Sequence, residues 1–311
     1  MARQSGTYGA RGRDFARSGP GLSALPQGGR EMTKFGSIGL RIGLLWLAVV
    51  AIWLFLGWLR DAVWGSGFSG YTLTGHMMSA VLATLFTVPL VILMQRVFDN
   101  ARLKDIGLSI SADAIRPLLV GTLAWLAPFA LGLGICLATG WATVTPTVNW
   151  AEILTFLPLL VVLVFLFEAL PEELVFRGYI YGQLASGMSR LWAVLIQAVL
   201  FSAWGAALWT VSLGAVPMDR IVMFFFMGLV LGMVRVVTGS VWASIGLHVA
   251  FQTVAQLLLN ETRGHFAIAG TDMLQLVALG VVPFSLAAMI SEIFYKGPHG
   301  WMVRAGRSVI S

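Results

Sequence analysis

The run Glu152-Ile-Leu-Thr-Phe-Leu-Pro-Leu-Leu-Val-Val-Leu-Val-Phe-Leu-Phe167, closed by Glu168-Ala-Leu-Pro-Glu-Glu-Leu-Val-Phe-Arg177, decides how this chain is read. Its first half is almost wholly apolar and, with its flanks, long enough to cross a bilayer. Its second half places Glu168, Pro171, Glu172, Glu173 and Arg177 at the end of that span, with Tyr179 and Tyr181 just beyond. Ionisable groups at a membrane span are costly unless they are paired or face a wet cavity, which makes them candidates for function. If the segment after Pro171 is helical, Glu173 and Arg177 lie four apart and pair across one turn. Glu172 then points about 100° away and is left without that partner. One carboxylate is held in an ion pair and its neighbour is free for proton chemistry. A juxtamembrane charge cluster that keeps the helix from sliding is the competing reading.

Composition agrees with a membrane setting. Of 311 residues, 58% are hydrophobic and 11% charged, and mean hydropathy is +0.85. Soluble domains carry about a quarter charged residues. Strand-like alternation is missing, so of the two backbone solutions available in lipid the chain reads as helices rather than a closed barrel. The expected fold class is all-α, a polytopic membrane protein surrounded by membrane lipids. Cys136 is alone in an apolar run, which excludes a disulfide framework and a cysteine-based metal site. The formal charge of +6 sits mostly in short loops and the N-terminal tail, where it sets topology, so no nucleic-acid partner is expected.

Residues 1–33 are rich in Gly, Ser and Arg and too poor in large apolar residues to bury a core, so a disordered basic tail is expected there. Met32 is a candidate second start. Apolar runs of spanning length follow near 39–59, 76–95, 117–138, 151–170, 191–209, 220–238, 241–259 and 272–293. The sixth and seventh are joined only by Thr238-Gly239-Ser240 and should be antiparallel neighbours. Gly228 and Gly232 form a small-xxx-small pair that predicts a close helix contact. The chain divides into the tail, the early helices over 34–150, a core over 151–260 and a last helix with its tail over 261–311. No internal repeat is evident, which weakens a transporter built on duplicated halves.

Lys and Arg alternate from loop to loop. Arg96, Arg102, Lys104 and Arg116 follow the second span, Arg177 and Arg190 the fourth, Arg235 ends the sixth, and Lys296, Arg304 and Arg307 follow the eighth. The opposite loops hold only Arg60, Arg220 and Arg263. This predicts both termini in the cytoplasm, a place in the cell membrane, and Glu172 and Glu173 at the cytoplasmic end of the fourth span.

One further polar residue stands out. His248 lies about eight residues into the seventh span, roughly 10–12 Å deep at 1.5 Å per residue. Gln252 follows one turn on, along the same face. Helix-to-helix hydrogen bonding is one explanation. A carboxylate and an imidazole converging to activate water is the other.

With these residues in hand, the chain resembles the CAAX-protease and bacteriocin-processing family of intramembrane glutamic endopeptidases. The resemblance rests on Glu172-Glu173-x-x-x-Arg177 followed by Gly-Tyr, on Phe201 two helices' reach later, and on Leu247-His248 in a late span, and it covers about residues 150–260. It implies that Glu172 deprotonates a water held together with a histidine from the second motif. Glu173 orients the site with Arg177, and His248 and the amide of Gln252 stabilise the oxyanion. It implies no cofactor and no metal, and a peptide, prenylated-peptide or lipid-like substrate.

Two positions depart from the pattern. The second motif, Phe-x-x-x-His, reads Phe201-Ser-Ala-Trp-Gly205 here, so the expected histidine is glycine. The third motif carries Gln252 where Asn is usual. Loss of a water-positioning imidazole forfeits much of the roughly 10²–10⁴-fold that general acid–base catalysis supplies. The other histidines, His76, His265 and His299, are distant in sequence, and His76 opens the second span on the outer side. Three readings follow. The chain is a peptidase with Glu172 as sole base, cleaving near the cytoplasmic leaflet. It is a non-hydrolytic scaffold or regulator. Or it is an enzyme on a lipid-like small molecule, in a cavity enlarged at Gly205 and walled by Trp204 and Trp209. If Trp204 or Phe201 fills the missing imidazole's place, the pocket is dry and the scaffold reading gains.

Overall fold

A computed structural model describes residues 27–65, 71–215, 218–260, 264–296 and 301–302, with side chains from Ser37 onward except at 213. It is an all-α polytopic membrane protein with eight helices long and apolar enough to span a bilayer. They are α1 (Gln27–Trp64), α2 (Leu73–Asp99), α3 (Ala112–Ala138), α4 (Trp150–Gly187), α5 (Arg190–Leu213), α6 (Met218–Thr238), α7 (Val241–Leu259) and α8 (Thr271–Phe294). A small antiparallel ribbon, β1 (Thr143–Pro146) with β2 (Phe266–Ala269), joins the loops before α4 and before α8. Local chemistry starts several helices. Thr72 Oγ1 accepts from Gly75 N at 3.1 Å, Asn149 Oδ1 from Glu152 N at 2.9 Å, and Ser240 Oγ from Trp242 N at 3.2 Å. Each bond satisfies one orphan donor of a first turn.

Two expected boundaries change. Residues 27–33 are already helical, so the expected tail shortens to 1–26, which lies outside the described residues. His299, Arg263, Arg304 and Arg307 also fall outside them. The fourth span does not stop near 170. It runs on to Gly187 through two wide turns, Phe165–Ala169 and Leu174–Ile180. Pro171 stands at the start of the short α-helical piece between them. There the wider preceding turn displaces the carbonyl that a proline ring would otherwise meet, and the helix continues.

Small residues set the closest approaches. The pair Gly228 and Gly232 does mark a contact, against α5: a Cβ at Gly228 would stand 3.0 Å from Ala198 Cα, and one at Gly232 2.6 Å from Gln197 Nε2. Gln197 Nε2 also donates to Gly228 O at 2.7 Å, a direct polar tie between the two helices. A tighter approach joins α3 and α7, where Cβ atoms at Gly121 and Gly246 would run into the carbonyls of Ala243 and Leu118. Gly246→Ala is therefore expected to destabilise by about 1–3 kcal/mol, the usual cost of overpacking, read as a lower melting temperature in detergent.

The end of the bundle that carries the basic loops is closed. The stretch 103–109 folds back over it: Arg235 Nη2 donates to Ile106 O at 3.0 Å, Val241 N to Gly107 O at 2.9 Å, and Trp242 Nε1 to Ser109 O at 2.7 Å. Buried Ile106 rests on Gly178 of α4, 3.1 Å from where a Cβ would stand. Asp99 ties three helices there, accepting from Arg41 Nη1 at 2.7 Å and from Gln183 Nε2 at 2.8 Å.

Candidate active site

Above that floor, residues 171–181 of α4 are all buried, and among them stand the three charged residues of the motif. Glu173 and Arg177 form the expected one-turn ion pair, Oε1 to Nη1 at 2.8 Å, both side chains 0% exposed. The guanidinium also lies 4.3 Å over the ring of Phe201, a cation–π contact made at full burial. The same Glu173 Oε1 meets His248 Nδ1 at 2.8 Å. Glu173 Oε1 already accepts from the guanidinium, and with Oε1 the acceptor again here, Nδ1 carries the hydrogen and donates. That fixes the ring and leaves Nε2 as the free nitrogen. Nε2 faces Glu172, 3.9 Å from Oε2, and has no hydrogen-bond partner among the described residues.

A cavity of about 160 Å³ adjoins this constellation. Glu172, His248, Gln252, Phe201, Trp204 and Gly205 all line it, while Glu173 and Arg177 stand behind. The eight residues singled out in the sequence are thus brought together, six on the cavity wall and two orienting His248 from the rear. Trp204 Nε1 is buried without a hydrogen-bond partner, leaving an indole donor unused beside the cavity. Among the described residues, no three His, Cys, Asp or Glu side chains are arranged to hold a metal ion.

Sequence reasoning named Glu168 among the ionisable residues of the span but gave it no place in the site, and it missed Gln256. Glu168 lines the cavity, and Gln256 Nε2 donates to both its oxygens, at 2.9 and 3.2 Å. The signal was present in the four-residue spacings Glu168–Glu172 and His248–Gln252–Gln256, which stack one face of α4 against one face of α7. Trp53 of α1 was missed too. It packs edge-on to Trp204, ring centroids 5.4 Å apart, and stacks on Phe167 at 6.3 Å.

Position 205 is occupied in an unexpected way. Neither Trp204 nor Phe201 takes the place of the missing side chain; Phe224 of α6 lies against the glycine, and a Cβ there would stand 2.8 Å from its Cδ1. The ring stacks on Phe201 at 5.1 Å and meets Trp209 edge-on at 4.6 Å. Gly205 therefore does not simply enlarge the cavity, because an aromatic from the neighbouring helix uses part of the room. Of the other histidines, His76 is edge-on to the wall residue Phe167 at 5.6 Å, one ring removed from the cavity. His265 stacks on Phe156 at 5.1 Å, and neither histidine is a wall residue.

The side from which the cavity is reached also differs from expectation. Counting residues from the start of α7 placed His248 toward the end with the basic loops. The wall residues that keep exposure are Phe167, Glu168, Leu208, Trp209, Phe224 and Gln252. On α4, α5 and α7 these lie on the far side of Glu172, Gly205 and His248 from that end. The cavity reaches the surface away from the basic loops.

Residues 154–254 match the family model described as type II CAAX prenyl endopeptidase Rce1-like. Over that third of the chain the protein resembles the CAAX-protease and bacteriocin-processing family. The match runs from α4 into α7 and contains every site residue named from the sequence, together with Glu168; Gln256 lies just beyond it. None of the curated proteins matches the chain. The matched segment holds the Glu-Glu-x-x-x-Arg core, Gly205 and the late histidine.

Proposed function

We infer that this family member is an intramembrane glutamic endopeptidase in which Glu172 is the general base. The observation that carries the reading is the pairing of Glu172 with His248 across 3.9 Å at the wall of a cavity, with the ring clamped from behind by Glu173 and Arg177. Glu172 takes a proton from water as the hydroxide oxygen bonds to the scissile carbonyl carbon. The Gln252 amide and the Trp204 indole are the donors available to the oxygen on which charge develops. His248 joins them only once it carries a second proton, because its neutral ring presents a lone pair at Nε2. Collapse of the intermediate breaks the C–N bond as the leaving nitrogen takes up a proton.

Among the described residues Arg96, Arg102, Lys104, Arg190, Arg235 and Lys296 fall toward the closed end, which the positive-inside rule assigns to the cytoplasm, together with the start of α1 and the end of α8. The cavity then opens toward the opposite face. The substrate is a peptide with apolar or lipid-like character near the scissile bond, because the walls are mainly Trp, Phe, Leu and Met. The test is hydrolysis of membrane-tethered peptides, which the natural protein performs and Glu172→Gln does not.

A non-hydrolytic family member is the second reading, favoured by Phe224 seated on Gly205. Gly205→His separates the two. On the peptidase reading the new side chain must displace Phe224, so the variant is expected to lose about 1–3 kcal/mol of stability together with activity, and Phe224→Ala relieves the clash. A silent natural protein that gains cleavage in Gly205→His with Phe224→Ala points to a scaffold switched off at one position.

A further inference from the structure

The mechanism above uses one carboxylate of the cavity, yet the cavity holds two. Glu168 lies one turn before Glu172 on α4, lines the same cavity and keeps partial exposure. Glu168 accepts from the Gln256 amide on both its oxygens, at 2.9 and 3.2 Å, and has a second hydrogen-bond partner in the Gln252 amide, one turn earlier on α7. Among the described residues it makes no ion pair, unlike Glu173. A carboxylate in an aromatic-walled cavity, without a cation and one turn from another carboxylate, destabilises the fold by desolvation and like-charge repulsion. An amide in its place would satisfy Gln256 without that cost. Meanwhile α5, which the family motif uses to present a histidine, offers the cavity only Phe201, Trp204, Gly205, Leu208 and Trp209. No side chain from that helix can hold a water by accepting a hydrogen bond.

Resting on the peptidase reading, we propose that Glu168 replaces the missing second-motif histidine, holding the attacking water with Glu172 and acting as the acid of a two-carboxyl site. Repulsion between close carboxylates favours one proton on the pair, and the reaction starts from the form with Glu172 ionised and that proton on Glu168. Glu172 accepts one proton from water while the hydroxide oxygen bonds to the carbonyl carbon. The oxyanion collapses, the C–N bond breaks, and the electron pair on nitrogen takes the Glu168 proton. The products are a carboxylic acid and an amine. The two glutamates end with their protonation exchanged, and one proton passed from Glu172 to Glu168 restores the start. The fixed donation from Gln256 orients Glu168 as a motif residue would be oriented.

The experiment uses the full chain in lipid nanodiscs with a pool of single-span peptides of varied sequence, cleavage being read by mass spectrometry. Natural protein, Glu172→Gln and Glu168→Gln are compared across pH. The expected result is cleavage by the natural protein, none by Glu172→Gln, and a loss of about 100-fold or more in kcat for Glu168→Gln with KM within twofold. One limb of the pH–rate profile should vanish in Glu168→Gln at a melting temperature no lower than that of the natural protein. Retention of activity within threefold in Glu168→Gln overturns the two-carboxyl site and leaves the peptidase reading standing. A loss without any change in the shape of the pH profile makes Glu168 merely structural and also overturns it. Absence of cleavage by the natural protein, or cleavage that survives Glu172→Gln, removes the peptidase reading and the two-carboxyl site with it.

Discussion

Arg177→Met is expected to cost about 3–5 kcal/mol of stability, the range for breaking a buried ion pair from one side. The reason is geometric. Arg177 and Glu173 are both 0% exposed, and among the described residues the 2.8 Å contact between them is the one ion pair that Glu173 makes with a Lys or Arg. Remove the guanidinium and a carboxylate is left in the protein interior with one histidine for company. Nothing then holds the Glu173 side chain in place, so the contact that fixes His248 loosens and the ring loses its orientation. The loss from Phe201 of a guanidinium 4.3 Å above its face adds to the effect. Thermal unfolding in detergent measures this, and Arg177→Lys should fall between the natural protein and Arg177→Met because it keeps charge without the planar fork. A melting temperature unchanged by Arg177→Met would mean that the triad does not order the site.

Glu172→Gln is expected to do the opposite, removing activity by about 10³-fold while leaving stability unchanged. Among the described residues Glu172 makes no side-chain hydrogen bond, and His248 Nε2 stands 3.9 Å from its Oε2. An amide of the same shape fills the same wall of the cavity but cannot take a proton from water. The contrast with Arg177 separates the two glutamates that stand side by side in the chain. Glu173 holds the site together, and Glu172 works in it. Equal destabilisation by both substitutions would assign Glu172 to the framework instead.

Much of this was legible because it rests on composition and on short-range periodicity. Eight apolar runs gave eight helices, with boundaries within a few residues for most. The pairing of Glu173 with Arg177 followed from four-residue spacing alone. What escaped were features set by neighbours distant in sequence. The continuation of α4 to Gly187 depends on burial of residues 171–181 by other helices, which overrides the proline and the charges as stop signals. The placement of Phe224 on Gly205 joins α6 to α5, and no local pattern predicts which ring enters a vacated site. Glu168 was named with the other ionisable residues but given no role, because it closes the apolar run and reads as its boundary; its tie to Gln256 joins two helices and has no local signature. The side of entry escaped for a related reason. Depth was counted along single helices, whereas the opening depends on which end the 103–109 stretch and Arg235 seal.

The central claim, a glutamic hydrolase opening away from its basic loops, is tested most directly by one measurement. The natural protein and Glu172→Gln are reconstituted in one orientation with single-span peptides carrying a scissile segment on one face or the other, and cleavage is counted on each. Cleavage confined to the face opposite the basic loops and absent in Glu172→Gln is the predicted result. No cleavage on either face, or cleavage indifferent to Glu172, would contradict it.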